Sequence, residues 1–433
     1  MTWLDKFKLN KQLLRSVTEA GYAAPKEMQL KTLSRIIGGQ DVIAVGPEGC
    51  GKTTTYVLAV LNRFNHNPQG VPQVLVLVPD KERVEQIIAR FELLNKNKNI
   101  AIVGLYAAPG IEAQMDALAD GADIVVATPD RARAIYLKLG LNLNKVELLI
   151  LDDAELIVKQ GLQLPTMELA NSITKCQHLV FTEVMHTKLE KMIAPFMKLP
   201  AVVVVEEMSE AQLNLHPQLL YHVPDFATKL NLLNLFMQDT ELFTQTVVFV
   251  NTRPTAEKIY KDLQNGQQNT AAVFNPWFAG SQGFADIADF KTSGSRVLIV
   301  AGEGPEVAGL QDIPFLIHFE LPDAKETFIE RLTSNIPQVQ DETLAITFTT
   351  DLELAAVRKI EQATGQKIPL AELPDELIAT KEKKKASGNT TAKTKNSEPT
   401  AGAAFHEKKA SNAKTYNYSS GEKAKMNKKK KYG

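Results

Sequence analysis

An apolar run, Asp41–Val45, leads into Gly46-Pro-Glu-Gly-Cys-Gly-Lys52-Thr53, and a stretch of helical character follows from Thr53. The spacing is G-x-x-x-x-G-K-[ST]. It restricts the fold sharply, because such a loop works only between a strand and a helix N-terminus. There its glycines let backbone N–H groups wrap negative charge at the positive end of the helix. The surrounding chain fits that demand. Apolar, β-branched runs recur at Val74–Pro79, Ile100–Leu105, Ile124–Thr128, Leu148–Asp153, His178–Thr182 and Ala201–Val205. Stretches of helical spacing such as Glu82–Leu94 lie between them. This alternation predicts βαβ units and a parallel sheet covered on both faces.

A polar connector at 207–217 interrupts the pattern, which then restarts. New runs are Leu219–Val223, Thr246–Asn251, Ala271–Phe274, Arg296–Ala301, Phe315–Leu321 and Leu344–Thr347, with Pro254 placed to open a helix. The expected organisation is α/β: one parallel-sheet domain over 1–206, the connector, a second over 218–380, and a tail over 381–433. The tail is Lys, Ala, Ser, Asn and Thr with few branched aliphatics. It cannot bury enough apolar surface to offset ordering entropy, so it is expected to be disordered.

Charge follows the same division. The whole chain carries a formal −1. The tail holds 15 lysines and four acids, or +11, which leaves 34 basic and 46 acidic residues, or −12, in the rest. Two cysteines, Cys50 and Cys176, cannot build a disulfide framework or a zinc site, which points to a reducing compartment. No apolar run reaches the roughly 18 residues of a membrane span, and no signal-peptide core opens the chain. A soluble, cytoplasmic protein is expected, away from membranes.

The loop assigns roles by chemistry. Gly46, Gly49, Cys50, Gly51 and Thr54 would line a phosphate chain, with Cys50 as a small filler. Lys52 would reach the β- and γ-phosphates, and the Thr53 hydroxyl would bind Mg²⁺. Leu149-Ile-Leu-Asp152-Asp153 supplies an acidic pair after a strand. Asp152 would hold Mg²⁺, and Asp153 would orient or deprotonate an attacking water. The expected ligand is therefore a nucleoside triphosphate with Mg²⁺.

In this order the residues resemble the DEAD-box family of RNA helicases, from the N-terminus to near Pro374. The resemblance implies two RecA-like P-loop NTPase domains that close on ATP and single-stranded RNA. Gly21-Tyr-Ala-Ala-Pro25-Lys-Glu-Met-Gln29 is similar to the family's adenine-reading element, with Gln29 as the reader. The family's upstream aromatic falls on Leu4, with Trp3 beside it. Pro79-Asp80-Lys81-Glu82-Arg83-Val-Glu-Gln86 resembles P-T-R-E-L-A-x-Q, and Thr128-Pro-Asp130-Arg131 resembles T-P-G-R. Lys81, Thr128 and Arg131 would meet the RNA backbone. Asp80 and Asp130 put negative charge there, or simply begin helices. Ala107-Ala108 replace a Gly-Gly pair.

Several positions depart from the family. Asp152-Asp153-Ala154-Glu155 stands for D-E-A-D, so Asp153 is one methylene short of the catalytic Glu. Thr182-Glu183-Val184 stands for S-A-T. In the second domain, Val248-Phe-Val-Asn251-Thr252-Arg253 matches, with Thr252 and Arg253 as RNA contacts. No Arg follows Gln282 at the expected place, where Ala285 stands, and GEGPEVAGLQD lacks another. Of the H-R-x-G-R-x-x-R arginines only Arg331 remains, while Ser334 and Pro337 occupy the other two places. Arg331 is either a partial substitute for a finger that stabilises the transferring phosphate or a structural salt-bridge residue.

These features predict a monomeric ATP-dependent RNA helicase or RNA-remodelling protein with slow hydrolysis, whose partners would belong to ribosome assembly or RNA decay. The alternative is an ATP-gated RNA-binding adaptor without catalysis. The RNA-branch Gln29 element argues against DNA as the substrate. The tail's lysines, with Phe405, Tyr416, Tyr418 and Tyr432 among them, would neutralise phosphates and stack on bases. Truncation after Thr380 is expected to weaken RNA binding and flatten its dependence on salt. On single strands the logarithmic slope should fall by about 0.7 for each phosphate that is no longer neutralised. A truncated chain that kept the full slope in a salt titration would place the binding in the core.

Overall fold

The computed structural model describes residues 9–63, 70–108, 110–206, 213, 215–265, 271–304, 307, 309–310, 313–333, 344–375 and 377. Trp3, Leu4, Ser334, Pro337, most of the connector, part of GEGPEVAGLQD and the whole tail lie outside them.

Two all-parallel sheets organise the chain. In the first half the strands are β1 (Val42–Val45), β2 (Val74–Leu77), β3 (Ile102–Leu105), β4 (Ile124–Ala127), β5 (Leu148–Leu151), β6 (Gln177–Thr182) and β7 (Ala201–Val204). Their spatial order is β3-β4-β2-β5-β6-β1-β7. The second half contributes β8 (Gln218–His222), β9 (Thr246–Val250), β10 (Ala271–Phe274), β11 (Gly283–Phe284), β12 (Val297–Ala301), β13 (Phe315–His318), β14 (Leu344–Thr349) and β15 (Leu370–Ala371). These are ordered β11-β10-β12-β9-β13-β14-β8-β15. Both are the parallel α/β sheets expected of the sequence. Among the described residues, no helix is long and apolar enough to cross a membrane.

The period of two along a strand decides which core each side chain enters. Val42, Ala44, Val74, Val76, Leu148 and Ile150 pack on one face of the first sheet. Ile43, Val45, Leu75, Leu77, Leu149 and Leu151 pack on the other. Strands buried on both faces must be apolar throughout, which is why these runs are continuous rather than alternating. The rule relaxes at the sheet edge, where β7 leaves Val202 60% exposed. The edge strands β11 and β15 are two residues long, too short to leave a periodic signal.

Parallel strands deliver all their C-terminal ends to one rim of the sheet, where open α/β folds hold ligands. The phosphate loop follows β1, Asp152 follows β5, Glu183 follows β6, Pro79 lies beyond β2 and Thr128 follows β4. Asp80 is the N-cap of the helix Lys81–Leu94, its carboxylate accepting a hydrogen bond from the Arg83 N–H at 2.8 Å. Asp80 therefore fixes where that helix starts. Asp80→Ala is expected to cost about 1 kcal/mol, read as a melting temperature lowered by about 2–4 °C. RNA affinity should not fall, since a carboxylate is removed from the rim.

Candidate functional site

The loop after β1 is held by close backbone packing. The Gly46 N–H donates to the Thr182 carbonyl at 3.0 Å. A Cβ on Gly46 would lie 2.8 Å from both Cys50 Sγ and Met28 Cε, so only glycine fits. Cys50 is fully buried there, as a filler should be. Gly51 takes φ +98°, and a Cβ on it would meet Gln29 Nε2 at 3.2 Å. Gln29, on the helix Glu27–Ile37, is buried against the loop, and its Oε1 accepts from the Lys26 N–H at 3.0 Å. Lys26 Nζ in turn donates to the Gly49 carbonyl.

Lys52 and Thr53 open the helix Lys52–Arg63. The Lys52 ammonium is turned into the loop, donating to the carbonyls of Gly46 (2.6 Å) and Pro47 (3.0 Å). Thr53 Oγ1 donates to Asp152 Oδ2 at 3.3 Å. Asp152 is fully buried, and the Tyr56 hydroxyl donates to the same oxygen at 2.9 Å. Tyr56 sits one turn beyond Lys52, with its ring centroid 5.1 Å from that of Phe181. Burial, and then the Asp152 charge, raise its pKa well above the usual phenol value, so it remains a donor.

Asp153 adopts φ +50°, a left-handed conformation that Asp and Asn tolerate better than most residues. Burial, and then the adjacent Asp152 charge, push its carboxyl up to about 8, against the pull of Arg83. Arg83 is the residue that sequence reasoning passed over. Its Nε lies 2.7 Å from Asp153 Oδ2, as an ion pair whose angle is too bent for a hydrogen bond. Its Nη2 donates to Asp152 Oδ2 at 3.4 Å and to Thr53 Oγ1 at 3.3 Å. Burial opposes the charge on Arg83, but the two aspartates outweigh it and raise its pKa. The signal was present: Arg83 stands at the Leu of P-T-R-E-L-A-x-Q, a place with no need of charge for packing.

Behind this group, Thr182 Oγ1 is 2.6 Å from Glu155 Oε2 and donates to the Val184 carbonyl at 2.8 Å. Burial raises the Glu155 pKa. The Glu183 N–H donates to Glu155 at 3.3 Å, while the Glu183 carboxylate turns away to Lys359 at 3.7 Å. Lys359, on the helix Leu354–Thr364, also pairs with Glu48 of the phosphate loop at 3.5 Å. A second tie joins the halves where Thr187 donates to Asp351, which His222 Nε2 meets at 3.0 Å.

A cavity of about 770 Å³ brings Gln29, Lys52, Thr53, Arg83 and Asp153 to one wall. The opposite wall carries Glu320, Asp323, Asp351 and Glu353, with Lys359 the one cation among its described residues. Arg331 is not among the lining residues, and its guanidinium lies over the Phe249 ring, 4.2 Å from the centroid. Tyr22 and Arg90 line the cavity beside Gln29 and share a hydrogen bond of 2.6 Å. Tyr22 belongs to the Gln29 element and places an aromatic ring at the cavity.

The residues expected to meet RNA sit elsewhere on the rim. Lys81 pairs with Glu85 at 3.6 Å and lies over the Tyr106 ring. Thr128 is the N-cap residue of Pro129–Leu137 without a side-chain cap bond, and Asp130 lies in the first turn of that helix. Arg131 Nε donates to Gln114 at 2.7 Å, and its Nη2 donates to the Ala107 carbonyl at 3.4 Å. In the second half, Thr252 Oγ1 is 3.0 Å from Thr255 Oγ1, and Arg253 lies over the Trp277 ring.

A phosphate loop after one parallel strand and a buried acid after another define a P-loop NTPase. Residues 26–192 match the model of the DEAD/DEAH box helicase family. Over these residues the chain is similar to that family. It is 24% identical over 371 residues to the RNA helicase CrhR of Synechocystis, covering 85% of this chain and 74% of that one. It is 25% identical over 374 residues to the ATP-dependent RNA helicase eIF4A of Kluyveromyces lactis, covering 86% and 93%. A solved DEAD box protein from the hyperthermophile Methanococcus jannaschii aligns with a TM-score of 0.47 at 21% identity, covering 84% of this chain and 98% of that chain.

Asp153→Asn separates charge from shape, because Asn keeps the left-handed backbone. With its pKa raised to about 8, folded Asp153 holds a proton that the unfolded chain has released. The parent therefore loses stability as pH rises from about 4 to about 8. Without Mg²⁺, the Asn variant is expected to melt higher, by an amount on the order of 1 kcal/mol at pH 8, with a smaller gap at pH 5. Denaturant melts at the two pH values check both signs.

Proposed function

We propose that this chain is an ATP-dependent RNA helicase that remodels RNA slowly. The observation that carries the reading is the convergence of Gln29, Lys52, Thr53 and Asp153 on one cavity, with buried Asp152 behind Thr53. The named relatives, an RNA helicase and an ATP-dependent RNA helicase, favour an enzyme over a catalytically silent adaptor.

Gln29 has one amide face committed to Lys26 and would offer Nε2 to the adenine edge. The Tyr22 ring would lie beside the base. Lys52 holds neutral carbonyls, and charged phosphate oxygens make stronger partners for an ammonium. Binding of the β- and γ-phosphates would therefore draw Lys52 out of the loop. Thr53 and Asp152 are the oxygens that a Mg²⁺ ion would need, and the Arg83 guanidinium stands on both, at 3.3 and 3.4 Å.

Asp153 would position the attacking water. Its short side chain and raised pKa both slow that step, since a protonated carboxyl cannot take up the water's proton. Thr182 and Glu155 form the link from the acidic pair to the next strand end. Lys81, Thr128 and Arg131 on one half, with Thr252 and Arg253 on the other, would meet the RNA backbone without reading sequence. The basic tail would add affinity. Cytoplasmic residence, monomeric state and partners in ribosome assembly or RNA decay fit this reading.

Lys52→Ala is expected to weaken ATP binding at least tenfold and to abolish RNA-stimulated phosphate release. RNA retention by the tail should be unchanged. Equilibrium titration with a fluorescent ATP analogue and steady-state phosphate release, each with and without RNA, test the proposal. Unchanged ATP binding by Lys52→Ala would overturn it.

A further inference from the structure

We infer that Arg83 is a built-in counter-cation that competes with divalent metal for Thr53, Asp152 and Asp153, so that nucleotide binding by this chain gains little from Mg²⁺. The inference rests on the nucleotide reading above and concerns what stands beside the phosphate loop.

The geometry is specific. One guanidinium lies 3.3 Å from Thr53 Oγ1, 3.4 Å from Asp152 Oδ2 and 2.7 Å from Asp153 Oδ2. These are the hydroxyl and the carboxylates that a hard cation would use. Mg²⁺ needs oxygens at about 2.0–2.1 Å in a near-octahedral set. A guanidinium on the same oxygens and a dication cannot both be accommodated, so one excludes the other.

Arg83 is also fixed at this place. Asp80 caps its helix through the Arg83 N–H, and Arg83 Nη1 donates to Gln86 at 3.2 Å. The planar fork engages several oxygens at once, which a lysine could not reproduce. Arg83 also pairs with both aspartates at once, so part of their charge is met without a metal. The alternative use of Arg83, as packing for the helix Lys81–Leu94, does not explain its aim. The buried face of that helix is already filled by Val84, Ile87 and Phe91.

Two neutral variants test the inference, Arg83→Leu and Arg83→Gln. The second keeps a hydrogen-bond donor for the aspartates should the first fail to fold. A fluorescent ADP and a fluorescent ATP analogue are titrated into the full chain in Mg²⁺ and in chelator. The parent is expected to change affinity less than threefold between the two buffers. Either folded variant is expected to bind at least tenfold more tightly with Mg²⁺ than without. A parent that loses tenfold or more on chelation overturns the inference while leaving nucleotide binding intact. Variants as indifferent to Mg²⁺ as the parent also overturn it. Absence of binding by the parent in both buffers overturns the nucleotide reading, and this inference with it.

Discussion

A carboxylate with no solvent contact governs the first half of this molecule. Asp152 sits at the end of β5, fully buried. An isolated ionised group there would be far too costly. The chain meets that cost with donors from two helices. Thr53 and Tyr56 come from the phosphate-loop helix, and Arg83 comes from the helix after β2. The loop, the acidic pair and the rim of the sheet are locked together by what one oxygen requires. Loss of any donor leaves a buried charge short of a partner, a change worth several times an ordinary surface ion pair.

Much of this was legible in the sequence for physical reasons. Strands buried on both faces must be continuous apolar runs, so the long runs could be read directly. The two-residue edges Gly283–Phe284 and Leu370–Ala371 could not, because they bury too little to need a pattern. The phosphate loop was legible because its glycines answer to backbone geometry, at Gly46 to the close approach of Cys50 and Met28. Asp80 was readable either as an RNA-facing charge or as a helix start, and the structure gives the helix cap. Arg83 was marked in the sequence only as a charge where the family's element has Leu, not by what it would touch. Its role depends on a long side chain crossing from one strand end to another, which spacing along the chain does not encode.

The second half is bound to the first by charges that the resemblance alone does not supply. Among the described residues its cavity wall is acidic except for Lys359, which reaches Glu48 and Glu183. Arg331, by contrast, lies over the Phe249 ring and does not line the cavity. The departure at Glu183 and the cation at Lys359 are therefore one feature: an acid at the coupling element has a basic partner across the cleft. With Lys359 half-exposed, solvent screens both pairs, and they contribute little to stability. Their value lies in fixing which surfaces face each other.

Tyr56 makes the hydrophobic core a party to the chemistry at its rim. Its ring packs between Phe91 and Phe181 while its hydroxyl holds Asp152. A phenylalanine in its place would preserve every aromatic neighbour and nearly all the volume. The packing would register almost nothing, yet the buried carboxylate would lose its closest donor. Substitutions that look conservative by size are thus not free to drift at this position. The same residue is answerable both to the core beneath it and to the ion above it.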